Sequence, residues 1–331
     1  MSQLQRTTDG EVNGLRAIVL ENEYLRVTVL PELGGKIWQI AYKPTGSELL
    51  WHNPAVAPAR QPANACYDDV WSGGWDELFP NDEAGEFAGR ALPDHGELWT
   101  GAFDWEAETG AEFVALRLSY RTPVTEFLVE RRLVLRAGER KFRIEYGFTN
   151  EGVRATAFLW KLHPAFAVTG QHRIDMPAMT VVREPGFEGT LGAAPMEFAW
   201  PTVPLAGGEM DLRQVPDASS GALHFFYGTG LREGWCAVTN QATGLAAGLW
   251  FDVGVLPSCW LFASHGGWQD LNVAVLEPAT GYPFQLDKMV EAGRAPWLGA
   301  GESLRTLVVF AVGEGFDGVG GVTADGEILA G

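Results

Sequence analysis

Alternation of apolar and polar residues is the main pattern along this 331-residue chain. It is clearest at residues 114–120, where apolar side chains occupy every second position. A period of two is typical of a β-strand with one buried face. Two further alternating runs, 127–135 and 142–148, flank the turn-like segment 137–140, which predicts a long antiparallel hairpin.

Other strand-like runs have similar length and apolar enrichment: 25–30, 36–42, 156–162, 223–227, 245–251, 271–276 and 304–312. No stretch keeps apolar residues at helical spacing over a dozen positions without an intervening Gly or Pro. We therefore predict an all-β fold, a large antiparallel β-sandwich of two packed sheets with only short helical turns.

The chain shows no linker-like cluster, no repeat of 20 to 50 residues and no charge run that would mark a boundary. This favours a single domain over residues 1–331, with a core at about 15–315. Residues 177–218 have the weakest pattern and are rich in Gly and Pro. We expect long surface loops or an excursion from the sandwich there.

Acidic residues dominate the charge: 42 Asp and Glu against 24 Lys and Arg give a formal net charge of -18. Such a surface repels nucleic-acid phosphates and anionic lipids, so neither is an expected partner. No apolar run is long enough to span a membrane, and residues 1–11 contain no secretory-type apolar stretch. Together with three scattered cysteines, read as reduced thiols, this predicts a soluble cytoplasmic protein.

Several kinds of chemistry lack their motifs. The sequence has no phosphate loop, dinucleotide fingerprint or GxSxG elbow. Its six histidines form neither HxH nor HExxH, so we expect no cofactor and no catalytic metal, although a structural cation held by carboxylates stays possible. The remaining candidates for chemistry are histidines and carboxylates.

Three of these stand at the ends of strand-like runs: His95, His163 and Glu277. A histidine at a strand end can present a titrating ring to a ligand. A carboxylate at the end of an apolar strand is unusual, which makes Glu277 a candidate for a functional role. The alternatives are a hydrogen-bonded structural histidine and a carboxylate that points to solvent.

Residues 70–82 mix aromatic and acidic side chains in a loop-like segment. Sugars present C–H faces to aromatic rings and hydroxyls to carboxylates, so Trp75, Asp76 and Glu77 are candidates for sugar binding. The alternative is an acidic surface turn with its tryptophans packed beneath it.

At these residues the sequence resembles the galactose mutarotase-like superfamily, particularly its aldose 1-epimerase-like members, from about Leu25 to Val312. Five pieces occur in the family's order: the opening hairpin at 25–37, the Gly-rich loop at 73–80 followed by His95-Gly96-Glu97, His163, Leu276-Glu277-Pro278, and the Gly-Glu turn at 298–304. The resemblance implies the same large β-sandwich and a cofactor-independent isomerase.

If the family roles carry over, Glu277 is the general base on the anomeric hydroxyl, His163 protonates the ring oxygen and His95 helps to hold the ring. We add Lys161 and Trp99 as candidate substrate-binding residues. The Arg that follows the first histidine in relatives acting on hexose 6-phosphates is missing here, which favours an unphosphorylated monosaccharide.

Two other functions stay open at this stage. One is a non-catalytic carbohydrate-binding or regulatory protein on the same fold. The other is different acid–base chemistry on sugar acids or glycosides. The sequence fits a monomer and a homodimer equally well.

Overall fold

Strands make up most of the secondary structure. The structure is a computed structural model that describes residues 5–187 and 189–331, with no side-chain detail for residues 5–8. The strands in the first half are β1 (Gln5–Val12), β2 (Leu15–Glu21), β3 (Leu25–Leu30), β4 (Lys36–Tyr42), β5 (Ser47–Glu48), β6 (Trp75–Leu78), β7 (Gly85–Phe87), β8 (Arg90–Leu92), β9 (Asp104–Thr109), β10 (Phe113–Arg121), β11 (Phe127–Arg136), β12 (Lys141–Asn150), β13 (Thr156–Ala157) and β14 (Lys161–Phe166).

The second half continues in the same way. Its strands are β15 (His172–Asp175), β16 (Thr180–Arg183), β17 (Glu197–Ala199), β18 (Thr202–Leu205), β19 (Gly208–Asp211), β20 (Ala222–Thr229), β21 (Trp235–Asn240), β22 (Leu245–Phe251), β23 (Ser258–His265), β24 (Asn272–Ala279), β25 (Trp297–Leu298), β26 (Ser303–Gly313), β27 (Val319–Val322) and β28 (Ile328–Ala330). Helices α1 (Tyr67–Val70) and α2 (Leu286–Glu291) are short. In the described part of the chain, no helix is long and apolar enough to cross a membrane.

The chain divides into two compact units. Unit 1 consists of the described residues up to 163 and of residues 280–308, and unit 2 of the described residues in 164–279 and 309–331. The single domain predicted over residues 1–331 stays a prediction, and residues 1–4 and 188 lie outside the described residues.

Unit 1 contains two sets of antiparallel strands. Strands β1, β2, β3, β4 and β6 are neighbours in one sheet, and β9, β10, β11 and β12 form a meander in another. The pairing of β11 with β12 runs from Phe127 opposite Asn150 to Leu135 opposite Phe142. This confirms the long hairpin predicted from the alternation on either side of residues 137–140.

Unit 2 also contains two antiparallel sets. Its strands run in the orders β24-β23-β20-β16-β17 and β15-β21-β22. The pattern-poor region 177–218 contains the four short strands β16 to β19, and β16 and β17 extend the first set. Buried Val181 and Phe198 show that this region contributes to the packed interior as well as to loops.

Candidate functional site

Strand β6 sends its two acidic residues to opposite faces, because neighbouring side chains of a strand alternate. The Asp76 carboxylate accepts a hydrogen bond from the Tyr67 hydroxyl at 2.8 Å and forms an ion pair with Lys36 Nζ at 2.9 Å. All three side chains are buried. Asp76 therefore belongs to a buried polar network in unit 1.

Glu77 is directed into the interior of the unit. Its oxygens accept hydrogen bonds from Tyr146 Oη at 2.5 Å and Trp160 Nε1 at 2.9 Å, and Arg131 lies 3.9 Å away. Burial raises the pKa of Glu77 to about 7, although Arg131 and the two donors oppose the shift. The predicted binding residue Trp75, two positions back on the strand, is also buried and lies near Phe142. Glu77 and Trp75 therefore lie in the interior of unit 1, and their contact with a sugar stays a prediction.

A group of polar residues lies on the face of β6 that carries Asp76, and we call this group the histidine cluster. Its members are Lys36, Tyr67, Asp76, Asp82, Asp94, His95, Lys161 and His163.

His163 lies in the middle of this cluster, with 6% of its surface exposed. Its Nδ1 is 3.3 Å from the Tyr67 hydroxyl, and its ring lies edge-on to Tyr67 and Trp71. The single Tyr67 proton goes to Asp76, which is the nearer and charged acceptor. It follows that His163 Nδ1 carries a proton that it donates to the tyrosine oxygen, which leaves Nε2 as the acceptor in the neutral ring.

The neutral form of His163 is favoured in the resting protein. Burial lowers the pKa of His163 well below its usual value, and the positive charges of neighbours, first that of Lys161, lower it further. His163 thus differs from an unperturbed histidine, which is partly protonated near pH 7. To act as an acid, it must first gain a proton on Nε2, and the Tyr67–Asp76 relay can then stabilise the positive ring.

His95 has the opposite charge preference. Its ring stacks on Tyr67 at a centroid distance of 4.2 Å, Nδ1 lies 2.9 Å from Asp94 and Nε2 lies 3.5 Å from Asp82. Burial alone would lower the pKa of His95, but the carboxylates of Asp82 and Asp94 outweigh it and raise the pKa. His95 is therefore the histidine of the cluster that favours the charged form.

The backbone holds His95 in an unusual conformation, with φ at 56°. Its N–H donates to Asp82 O at 2.6 Å, and the next residue, Gly96, passes close to Phe79. A Cβ at Gly96 would lie 2.2 Å from the Phe79 carbonyl oxygen, so only glycine fits there. This contact fixes the direction of the loop that carries His95.

Two other predicted binding residues support the cluster. Lys161 Nζ forms a 3.0 Å ion pair with Asp82, the same carboxylate that faces His95. Trp99 is buried, donates from Nε1 to Asp94 O and lies edge-on to Tyr67. Lys161 thus lies in the cluster, whereas Trp99 packs behind it.

Glu277 belongs to unit 2, where it is 1% exposed on β24. It lies opposite Trp260 of β23, and Trp260 lies opposite Tyr227 of β20. The row therefore places the carboxylate next to two aromatic rings that meet edge to face, Tyr227 and Trp260 being 4.8 Å apart by ring centroids. Phe225, on the same face, contacts both rings. This buried row combines an acid with aromatic rings, the two kinds of side chain that sugar recognition uses.

The residues that sequence reasoning missed are mainly partners of the histidines: Lys36, Tyr67, Asp82 and Asp94 in unit 1, and Tyr227 and Trp260 in unit 2. Asp82 and Asp94 stand in segments that the sequence already marked. Tyr67 carries no local signal, because its importance comes from contacts with residues far along the chain. Over residues 5–187 and 189–331, no three His, Cys, Asp or Glu side chains converge to hold a metal ion.

Comparisons with known proteins agree on the fold. The model of a family described as a domain of unknown function (DUF5107) matches residues 3–80, which is less than half of the chain. A search of curated proteins found no match. Among solved structures, a proposed aldose 1-epimerase from Klebsiella pneumoniae has a TM-score of 0.70 at 15% identity, covering 94% of this chain and 82% of that one.

Two further structures are similar over their whole length. A galactose mutarotase-like protein from Clostridium acetobutylicum has a TM-score of 0.70 at 12% identity, with 93% of this chain and 98% of that chain covered. A proposed aldose 1-epimerase from Escherichia coli has a TM-score of 0.63 at 19% identity, with 91% and 100% covered.

The strands and these likenesses define the class: the chain is an all-β protein with the galactose mutarotase-like fold. The predicted β-sandwich and the predicted resemblance are confirmed at this level. At identities of 12 to 19%, the likeness concerns the fold and leaves the reaction to be proposed.

Proposed function

We propose that this protein is a cofactor-independent isomerase of the aldose 1-epimerase type, which interconverts the anomers of an unphosphorylated sugar in the cytoplasm. The observation that carries the proposal is the buried relay from His163 through Tyr67 to Asp76. A histidine oriented by a hydrogen-bonded carboxylate is an arrangement suited to proton transfer. The shared fold with proposed aldose 1-epimerases supports the choice of reaction.

In the proposed reaction, the Glu277 carboxylate removes the proton of the anomeric hydroxyl. The electron pair of that O–H bond forms the aldehyde carbonyl, and the bond from the anomeric carbon to the ring oxygen breaks. Protonated His163 gives its Nε2 proton to the ring oxygen. Rotation of the aldehyde and reversal of both transfers close the ring as the other anomer, and the two residues return to their starting states.

The charges of the histidine cluster support a neutral sugar. Three carboxylates, Asp76, Asp82 and Asp94, face two lysines, and the excess negative charge is offset when His95 is protonated. A phosphate would add two further negative charges to this balance. Lys161 and His95 are the donors that we propose for sugar hydroxyls. Three free cysteines fit the reducing conditions of the cytoplasm.

Anomer exchange measured by saturation-transfer proton NMR tests the proposal. The exchange rates of wild type, Glu277→Gln and His163→Asn are compared for each sugar in a panel of unphosphorylated aldoses. Because acid–base catalysis is worth about a hundred- to ten-thousandfold in rate, each substitution should lower the enzymatic exchange by at least about a hundredfold.

The controls are His172→Asn and Glu209→Gln, which make the same chemical changes outside the proposed site and should retain wild-type exchange. No exchange with any sugar, in protein that is folded by circular dichroism, would contradict the proposal. If the same protein still bound sugars, a non-catalytic carbohydrate-binding role would replace it.

A further inference from the structure

The region 177–218, which has the weakest sequence pattern, supplies a buried carboxylate to unit 2. Glu184 directly follows strand β16 and is 7% exposed, and the proposed reaction does not use it. The Tyr227 hydroxyl of β20 donates a hydrogen bond to Glu184 Oε2. A hydroxyl that donates to a carboxylate makes one of the stronger hydrogen bonds found in proteins. Glu184 therefore holds the end of the Tyr227 side chain.

Glu184 begins a row of side chains that continues across β20, β23 and β24. In the pairing of β16 with β20, Val182 lies opposite Tyr227, and Glu184, two positions further on, is directed to the same face. Tyr227 lies opposite Trp260 of β23, and Trp260 lies opposite Glu277 of β24. The row thus runs from one carboxylate to the other, with two aromatic rings between them.

The two rings of this row are buried and in contact. Tyr227 and Trp260 are 1% and 0% exposed, and they meet edge to face. Phe225, on the same face, contacts both rings edge-on. Since buried rings in contact cannot turn independently, the direction of the Trp260 ring depends on where Tyr227 is held. Side chains opposite each other on neighbouring strands have Cβ atoms about 4.5–5.5 Å apart, so Trp260 in turn limits the positions open to the Glu277 carboxylate.

Hydrogen bonds hold the segment that contains Glu184 at several points. Arg183, which is 8% exposed, donates from Nη1 to Ala194 O at 2.7 Å. The Thr190 N–H donates to Leu223 O, and Thr190 Oγ1 accepts from the Leu223 N–H, both at 2.8 Å. Because Leu223 belongs to β20, these bonds attach the segment to the strand that carries the tyrosine. Glu184 is therefore a fixed anchor and not a side chain on a free loop.

Glu184 is too far from Glu277 to share its role. Three interstrand spacings of about 4.8 Å separate the two Cα atoms, which makes about 14 Å. One oxygen of Glu184 is also occupied by the Tyr227 proton. An effect of Glu184 on Glu277 therefore passes through the two rings.

We propose that Glu184 is a positioning residue that fixes the proposed base Glu277 through Tyr227 and Trp260. The proposal rests on the proposed function, in which Glu277 removes the anomeric proton. A base must keep its oxygen within hydrogen-bond reach of the proton that it removes, and a misplacement of about 1 Å costs up to about a hundredfold in rate. The region 177–218 thus takes part in the reaction, although Glu184 does not touch the sugar.

Saturation-transfer proton NMR at several sugar concentrations, which yields the kcat and KM of anomer exchange, tests the proposal. Glu184→Ala should lower kcat by about tenfold or more and leave KM within about twofold, because the alignment of the base matters in the transition state rather than in binding. Glu184→Gln should keep a near wild-type kcat, since its amide oxygen can still accept the Tyr227 proton. Glu197→Ala, the same change at an exposed carboxylate of this region, is the control and should keep the wild-type kcat.

Tyr227→Phe removes the donor and keeps the ring, so it covers the case in which Glu184→Ala fails to fold. It should lower kcat about as much as Glu184→Ala does. The double variant should lose no more than either single variant, because both substitutions act through one hydrogen bond. Additive losses, an equal loss in Glu184→Gln, or a wild-type kcat in both single variants would overturn the proposal.

The indole N–H signal of Trp260 in a proton–nitrogen-15 spectrum reports on the same row without any reaction, and Trp260→Phe assigns it. Because the indole meets the Tyr227 ring edge to face, the signal should shift in Glu184→Ala and in Tyr227→Phe. It should stay in place in Glu184→Gln and Glu197→Ala. This pattern without exchange of any sugar would support the row and contradict the isomerase. Exchange with an unmoved signal in Glu184→Ala would overturn the positioning role and leave the isomerase standing.

Discussion

The Tyr67 proton decides which nitrogen of His163 is available for the proposed proton transfer. Because the hydroxyl donates to Asp76, His163 must present Nε2 for proton exchange. In the proposed reaction Tyr67 is thus a positioning residue, since it would act through the histidine and not on the sugar. Sequence reasoning selected His163 and Asp76 but could not connect them, because the residue between them lies 96 positions before the histidine.

Replacement of Tyr67 by Phe should remove the hydrogen bond that keeps the proton of neutral His163 on Nδ1. In wild type, nitrogen-15 NMR should show the proton of the neutral ring on Nδ1; in Tyr67→Phe, it should shift toward Nε2. Anomer exchange should fall by about tenfold or more, as is typical when an orienting partner is lost. An unchanged nitrogen spectrum would contradict the relay, even if the exchange rate fell.

The raised pKa of Glu77 predicts how the stability of the folded protein depends on pH. Its pKa is raised from its ordinary value to about 7 in the folded chain, chiefly by burial. The folded protein therefore holds this proton more strongly than the unfolded chain does, so the stabilisation is complete below pH 4.5 and is lost as pH rises through about 7.

The measurement is the free energy of unfolding in urea at pH 5.5 and pH 8. Wild type should lose up to about 2 kcal/mol more than Glu77→Gln between these values, since the pH rises about 1.5 units before it reaches the folded pKa and one pKa unit corresponds to about 1.36 kcal/mol. Glu77→Gln should be less stable than wild type at pH 5.5, because Tyr146 and Trp160 donate to different oxygens of Glu77 and the amide nitrogen that replaces one of them cannot accept. An equal pH dependence in both proteins would refute the assignment.

Among the elements, the loop before β9 is constrained by a close backbone contact. Gly96 must pass the Phe79 backbone closely, whereas Gly89 in the β7–β8 turn has a similar positive φ and open space around it. Alanine costs backbone strain at both positions, but only at position 96 does its Cβ meet other atoms.

Gly96→Ala should therefore lower the free energy of unfolding by about 1–3 kcal/mol more than Gly89→Ala does. Chemical denaturation of the two variants measures the difference directly. Equal losses would mean that the approach to Phe79 does not constrain the loop that holds His95.

The strands show what alternation could and could not predict. The hairpin of β11 and β12 followed from the period of two in the sequence. The same rule, applied to β6, separates Asp76 from Trp75 and Glu77, although residues 75–77 looked like one binding patch. The weak pattern at 177–218 hid strands β16 and β17, because short strands offer too few alternating positions.

For the whole molecule, the fold could be predicted because it depends on many repeated local patterns. The site could be predicted only in part. His163, His95, Asp76 and Lys161 meet in unit 1, but the partners that set their protonation come from separate loops and strands. Charge states such as the neutral His163 depend on burial, which no local sequence pattern records.

Polarimetry of a freshly dissolved aldose tests the proposed anomer interconversion most directly. The protein should speed the approach to the equilibrium rotation from either pure anomer, without changing the final value, because a catalyst leaves the equilibrium unaltered. A time course identical to that of buffer, for every neutral sugar on which the protein is tested, would contradict the account.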